Sequence, residues 1–388
     1  MAALPPARAG AARLRGQRLP VSAARGREQL PDTLRAVAML SVLVVNAIGY
    51  GVAPWGPMLG ARQPADSAWA AMVQGLVGAL LQGKGVAMLS FVFGMSLWLA
   101  ARRRSRAEAL QRGLARNRRL LGLGIAHGVF IYFGDILTLY AVVGRQLLRR
   151  LHMPWRSLRR HLWRALAWAL LTKLAWLLVL VGFGADPDTR DVPSFATVRG
   201  AWPFLQLNAS SYLFGLGASL VMAGTVTYLC MLCGVAAARL RLLTHRRWRA
   251  ALRRCLWRCG PPLLALSAVY GWGCAALAPT HAWRSWIDAL GDFIAIPVAA
   301  CYLAGLALAS GGGSARWCGW FSPLGRRTLS LYMAHSLLCV ALFSGLGWAV
   351  AASTLQTVLF CLGLWLVALA AARHSHGPWP LEAWMARR

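Results

Sequence analysis

The chain has 388 residues, 58% hydrophobic and only 14% charged, and its 42 Lys+Arg stand against 11 Asp+Glu for a formal net charge of +31. A soluble domain carries about 25% charged residues, so this composition excludes an ordinary soluble enzyme. Long apolar runs approach the roughly 20 residues that cross a bilayer, which predicts an all-α, polytopic helical membrane protein.

Residues 1–30 hold arginines but no apolar run ahead of a small-residue cleavage site, so they are expected to be a disordered basic tail rather than a signal peptide. A membrane domain is expected over 31–373 and a short cytoplasmic tail over 374–388. About ten transmembrane helices are predicted, at 34–51, 84–101, 120–134, 136–151, 165–184, 210–238, 261–279, 289–309, 328–350 and 354–372. This threading, with both termini cytoplasmic, leaves Arg62, Arg190, Arg199 and Arg284 outside and gathers most of the other arginines inside, as cytoplasmic loops require.

Between the first two helices, 68–101 is long enough for two crossings, but Gln82, Gly83, Lys84 and Gly85 interrupt it. Two crossings would put Arg102, Arg103, Arg104 and Arg106 outside, so one crossing is expected, with 68–82 a half-inserted lead-in lining protein or a cavity. Further on, the loop 185–208 carries Asp186, Asp188 and Asp191 and is large enough for a lid. Residues 239–260 alternate arginines with Trp248, Leu252 and Trp257, which predicts an interfacial helix on anionic lipid headgroups and no nucleic-acid surface. The nine cysteines predict no disulfide framework, and Cys230-x-x-Cys233 lacks the second ligand pair of a metal site.

Ionisable groups inside a membrane are costly and are therefore candidate functional groups. The densest cluster is GIAHGVFIYFGDILTLY, where His127 precedes Asp135 at the outer end of its helix. Asp135 is also suited to capping a helix start, and His127 to a core hydrogen bond. A second cluster, Thr328, Ser330, Tyr332, His335 and Ser336, puts His335 at a depth matching His127, so the two imidazoles could share a pocket and carry a proton. In the first helix Arg35 is placed to hold a donor phosphate or to reach the headgroups, and Asn46 lies deeper. Lys84, inside an apolar segment, needs a partner, and Asp135 is a candidate.

Five motifs together resemble the YeiB family of bacterial membrane proteins, a family of unknown function related to membrane acyltransferases. They are PDTLRAVAMLSVLVVN (31–46), KGVAMLSFVFG (84–94), GIAHGVFIYFGDILTLYA (124–141), LGRRTLSLYMAHSL (324–337) and GPWPLEAWMAR (377–387). Ala36 stands where that family usually has Gly, and His335 where it commonly has Gln, so His335 is expected to contact substrate rather than act as an obligatory base. The resemblance implies a multi-pass protein of the bacterial inner membrane. It also implies an acyltransferase taking an acyl group from a cytosolic thioester such as acyl-CoA to an outward-facing glycan or lipid hydroxyl, with no permanently bound cofactor and no metal. His127 would then be the general base and Asp135 its orienting partner, with Arg35, Asn46, Lys84, Tyr332 and His335 binding substrate. A small-solute transporter and a non-catalytic envelope component are the alternative expectations.

Overall fold

Local sequence signals start several of the helices. Ser67 and Ser105 accept from the backbone amides of Ala70 and Glu108, and Ser353 with Gln356 forms a reciprocal capping box. The computed structural model describes residues 21–50, 54, 67–183, 193–277, 281, 283–311 and 315–387, and among these every regular element is helical. In chain order they are α1 (Val21–Gly49), α2 (Ala68–Leu80), α3 (Lys84–Ala101), α4 (Arg106–Phe130), α5 (Leu137–Leu148), α6 (Trp155–Phe183), α7 (Ala201–Leu240), α8 (Arg249–Ala276), α9 (Arg284–Ser310), α10 (Ala315–Gly325), α11 (Thr328–Phe343), α12 (Thr354–His374) and α13 (Pro380–Ala386).

Six of these stretches are long and apolar enough to cross a membrane: 29–49, 68–101, 155–179, 201–240, 284–310 and 354–374. That is fewer than the ten expected, and the reasons are local. Helices α5 and α11 are apolar but have 12 and 16 residues, short of a full span. Helices α4 and α8 are long, but the first half of each is rich in arginine. The arginine-rich segment expected to lie separately at the interface is instead continuous with the apolar half of α8, running through Pro261 and Pro262. Helix α1 begins at Val21, inside the stretch expected to be disordered; residues 1–20, the acidic positions Asp186, Asp188 and Asp191, and Arg62 and Arg190 lie outside the described residues.

Helix ends sort into two groups. At one end, Tyr50 stacks on Tyr132, Phe133 stacks on Phe195, and the Gly345 amide donates to the Phe195 carbonyl. At the other, Thr33 donates to the Cys318 carbonyl, Arg119 to that of Met385, and Arg239 to that of Met153. We call these the aromatic end and the arginine end. Helix α1 lies deep in the bundle, with Leu34, Ala36, Leu43 and Val44 buried among α3, α10, α11 and α12.

The tail after α12 is docked. Arg327 donates to the carbonyls of Pro323, Ala372, Ser375 and Gly377, and Glu382 of α13 accepts from the amides of Leu329 and Ser330 at 2.9 and 3.0 Å. A carboxylate on the first amides of α11 satisfies orphan donors and opposes the positive end of the helix dipole. The tail motif thus supplies the cap of α11.

Candidate functional site

Two breaks between consecutive helices of the described residues lie inside the bundle. At the first break, Gly83 takes a left-handed φ of 78° between α2 and α3, and the last carbonyls of α2 lose their helical partners. Side chains from four different helices meet these carbonyls and that of Leu81, which also accepts from the Lys84 amide. Lys84 Nζ donates to Gly78, Ser267 to Ala79, Tyr302 to Leu80 and Ser41 to Leu81, at 2.8, 2.6, 3.2 and 2.7 Å. Lys84 also lies over the ring of Tyr270, 5.1 Å from its centroid. The partner of Lys84 is therefore a helix C-terminus, which favours a cation, and Asp135 is engaged elsewhere.

At the second break, between α4 and α5, the backbone is satisfied from a distance. Asn208 Nδ2 donates to the carbonyls of Gly128 and Val129, both at 2.8 Å, and Asp135 Oδ2 accepts from the Thr138 amide at 2.7 Å. The other oxygen, Asp135 Oδ1, lies 2.9 Å from His127 Nδ1, and His127 Nε2 lies 3.0 Å from Ser336 Oγ on α11. The side chains of His127 and Asp135 are 0% exposed, and Ser336 is 1% exposed. Asp135 is thus both the helix cap and the partner of His127. Gly124 makes this possible, because a Cβ there would crowd the Thr138 amide and Asp135 Oδ2.

The order carboxylate, imidazole, hydroxyl has direct chemical content. A carboxylate on Nδ1 holds that nitrogen as the N–H, which leaves Nε2 as the acceptor facing the hydroxyl. This is the arrangement that activates a serine. Tyr332, one helical turn before Ser336, packs its ring 4.9 Å from that of His127. Its hydroxyl and the amide nitrogen of Asn46 are buried together without a well-formed hydrogen bond. Tyr50 donates to the Ser336 carbonyl at 3.4 Å, and its ring joins the Tyr132, Phe133 and Phe195 stack that covers the cluster at the aromatic end.

His335 does not join this chain. Successive residues of a helix point about 100° apart, so when Ser336 meets His127 its neighbour faces α12. There His335 Nε2 lies 3.4 Å from Cys339 Sγ and 3.7 Å from Cys361 Sγ. Equal depth along the sequence singles out His335 in this cluster, whereas the rotation of α11 turns Ser336 toward His127. The signal available was the spacing Tyr332 to Ser336, which puts both on one face.

Arg35 is also elsewhere. It donates to Asp32 and to Ser96 at the arginine end, on a cavity of about 680 Å³ lined by Arg102, Arg103, Arg241 and His245 as well. Asn46 is 11 residues further along α1, roughly 16 Å at 1.5 Å per residue. The predicted residues therefore divide: His127, Asp135, Asn46 and Tyr332 come together, and Arg35, Lys84 and His335 occupy three other places. Among the described residues no group of three or more His, Cys, Asp or Glu side chains is arranged to hold a metal ion.

A family model described as a protein of unknown function, DUF418, matches residues 237–381. The match runs from the end of α7 to the start of α13, so it includes Tyr332, His335 and Ser336 and excludes His127 and Asp135. No curated protein matches the chain.

Proposed function

We propose that this is a bacterial cytoplasmic-membrane acyltransferase with both termini in the cytosol. It would pass an acyl group from a cytosolic thioester such as acyl-CoA to an extracytoplasmic glycan or lipid hydroxyl. The Asp135–His127–Ser336 chain carries this reading, because a buried carboxylate–imidazole–hydroxyl series has the geometry for acyl transfer. The resemblance of five motifs to the YeiB family, which is related to membrane acyltransferases, supports it.

In the chemistry proposed, His127 Nε2 removes the Ser336 proton as Oγ attacks the thioester carbonyl. The new C–O bond forms, the C–S bond breaks, and the proton passes to the departing thiolate. The acceptor hydroxyl then attacks the acyl-serine with His127 again as base, restoring Ser336. Asp135 keeps the tautomer and stabilises the transient imidazolium. Asn46 Nδ2 and the Tyr332 hydroxyl, buried donors beside the reacting groups, would receive the developing oxyanion. Arg35, Arg102, Arg103 and Arg241 would hold the donor's phosphates at the arginine end, which the positive-inside rule puts in the cytosol.

Inside-out vesicles containing the full-length protein, given radioactive acetyl-CoA, test this. Label should appear on the protein or on a membrane acceptor and be absent in Ser336→Ala, His127→Ala and protein-free vesicles. Label no higher than in protein-free vesicles, in membranes that retain native acceptors, would sink the reading. Label retained in Ser336→Ala but lost in His127→Ala would replace the acyl-serine with direct transfer.

A further inference from the structure

Two neighbouring cavities lie away from the triad, where α5 turns into α6. The first, about 270 Å³, is at the arginine end and is lined by Arg106, Arg149, Arg150, His152 and His161. The second, about 430 Å³, runs between α5, α6 and α7, and apolar residues such as Val142, Val143, Trp168 and Leu220 form much of its wall. His161 lines both, so the two adjoin at that side chain, the first cationic and the second mostly apolar with Gln146 and Arg164 also on its wall. Among the described residues no carboxylate lines either cavity.

The first cavity is held in shape. Arg239 of α7 donates to the carbonyls of Leu151 and Met153 in the turn, and its guanidinium lies 4.4 Å from the Trp98 ring centroid. Arg150 is tied to the Tyr228 hydroxyl at 3.1 Å, and His161 Nδ1 donates to the Ser157 carbonyl at 2.9 Å, which directs Nε2 away from its own helix. Arg106 and Arg149 are exposed at the rim, with guanidinium forks suited to phosphate oxygens.

The geometry points to a specific site for one anionic glycerophospholipid, its phosphate among Arg106, Arg149, Arg150 and His161 and one acyl chain in the groove of α5, α6 and α7. Charge complementarity selects an anionic headgroup, and basic pockets between membrane helices bind such headgroups. The apolar groove selects a lipid over a free phosphate, which would use only the first cavity. This site does not depend on acyl transfer at Ser336.

The test uses the full chain in neutral detergent, titrated separately with phosphatidylglycerol, phosphatidylcholine and inorganic phosphate. Native mass spectrometry reads retained lipid, and thermal unfolding reads stabilisation. One phosphatidylglycerol should be retained and should raise the unfolding temperature, with neither effect from phosphatidylcholine or phosphate. Arg106→Gln with Arg149→Gln should weaken retention roughly thirty-fold, at about one logarithmic step and a half for two surface arginines. Gly224→Leu fills the groove, where an added Cβ meets Leu139 at 3.6 Å and Val143 at 3.9 Å, and should weaken retention with all charges intact. Equal retention of both lipids, or wild-type affinity in the arginine variant, would overturn the proposal. Stabilisation by phosphate equal to that by phosphatidylglycerol would also overturn it, reducing the site to an anion pocket. If Gly224→Leu does not fold, the headgroup comparison and the arginine variant still decide.

Discussion

The two breaks in the helical bundle solve the same problem in opposite ways. Between α2 and α3, the polar side chains Lys84, Ser267, Tyr302 and Ser41 are each taken up by a backbone carbonyl. Between α4 and α5, Asn208 and one oxygen of Asp135 meet the backbone's needs, and the second oxygen is left for His127, whose far nitrogen meets a hydroxyl from α11. A polar cluster in a membrane therefore has to be judged by what its atoms are bonded to. Groups bonded to main chain hold the fold together, whereas groups bonded in series to one another can pass a proton.

Substitutions at the two breaks should separate these roles. The largest effect is expected from His127→Ala, which should lower acyl transfer by ~10²–10⁴-fold while leaving the protein extractable and folded by size-exclusion chromatography. Asp135→Ala should cost about 2–5 kcal/mol in stability, because it strands two buried donors, the Thr138 amide and the His127 N–H. Thermal unfolding in detergent measures that loss, and an unfolding curve matching wild type would mean that the second break is not held as described. Lys84→Met should lower stability by about 1–3 kcal/mol through the unsatisfied Gly78 carbonyl. Its label transfer per folded molecule should stay at the wild-type level; loss of transfer with the fold intact would move Lys84 into the functional site. Ser41→Ala should have the smallest effect, about 1 kcal/mol and no change in transfer.

A third polar contact sharpens the contrast. Lys173 of α6 and Asp292 of α9 form an ion pair at 2.7 Å, with side chains 18% and 41% exposed. The sequence singled out neither as a site. Replacing both by apolar residues should leave stability nearly unchanged, since a partly exposed ion pair contributes about 0–1 kcal/mol. No comparable pair of apolar replacements at His127 and Asp135 is expected to retain transfer.

Much of the helical layout was legible because apolar runs and capping residues are local. Each of the ten expected spans overlaps a helix, although six stretches are long and apolar enough to cross. The pairing of His127 with Asp135 was also legible, since eight residues and one tight turn separate them. The role of Glu382 was not, because its partners at Leu329 and Ser330 are more than fifty residues away. Nor was the choice of Ser336 over His335, which depends on how α11 is rotated against α4 across 209 residues of sequence.

Composition and periodicity, then, determined by themselves that this chain is all helical, apolar enough to enter a membrane, and polar at a few positions that must find partners. Those properties follow from short-range backbone hydrogen bonding and from burial, which depend on residues within a turn or two of one another. Only the tertiary structure decided which partner each polar group found: Gly78 for Lys84, two thiols for His335, and Ser336 for His127. Partner choice is set by the rotation and registry of whole helices, and these depend on packing between segments far apart in the chain.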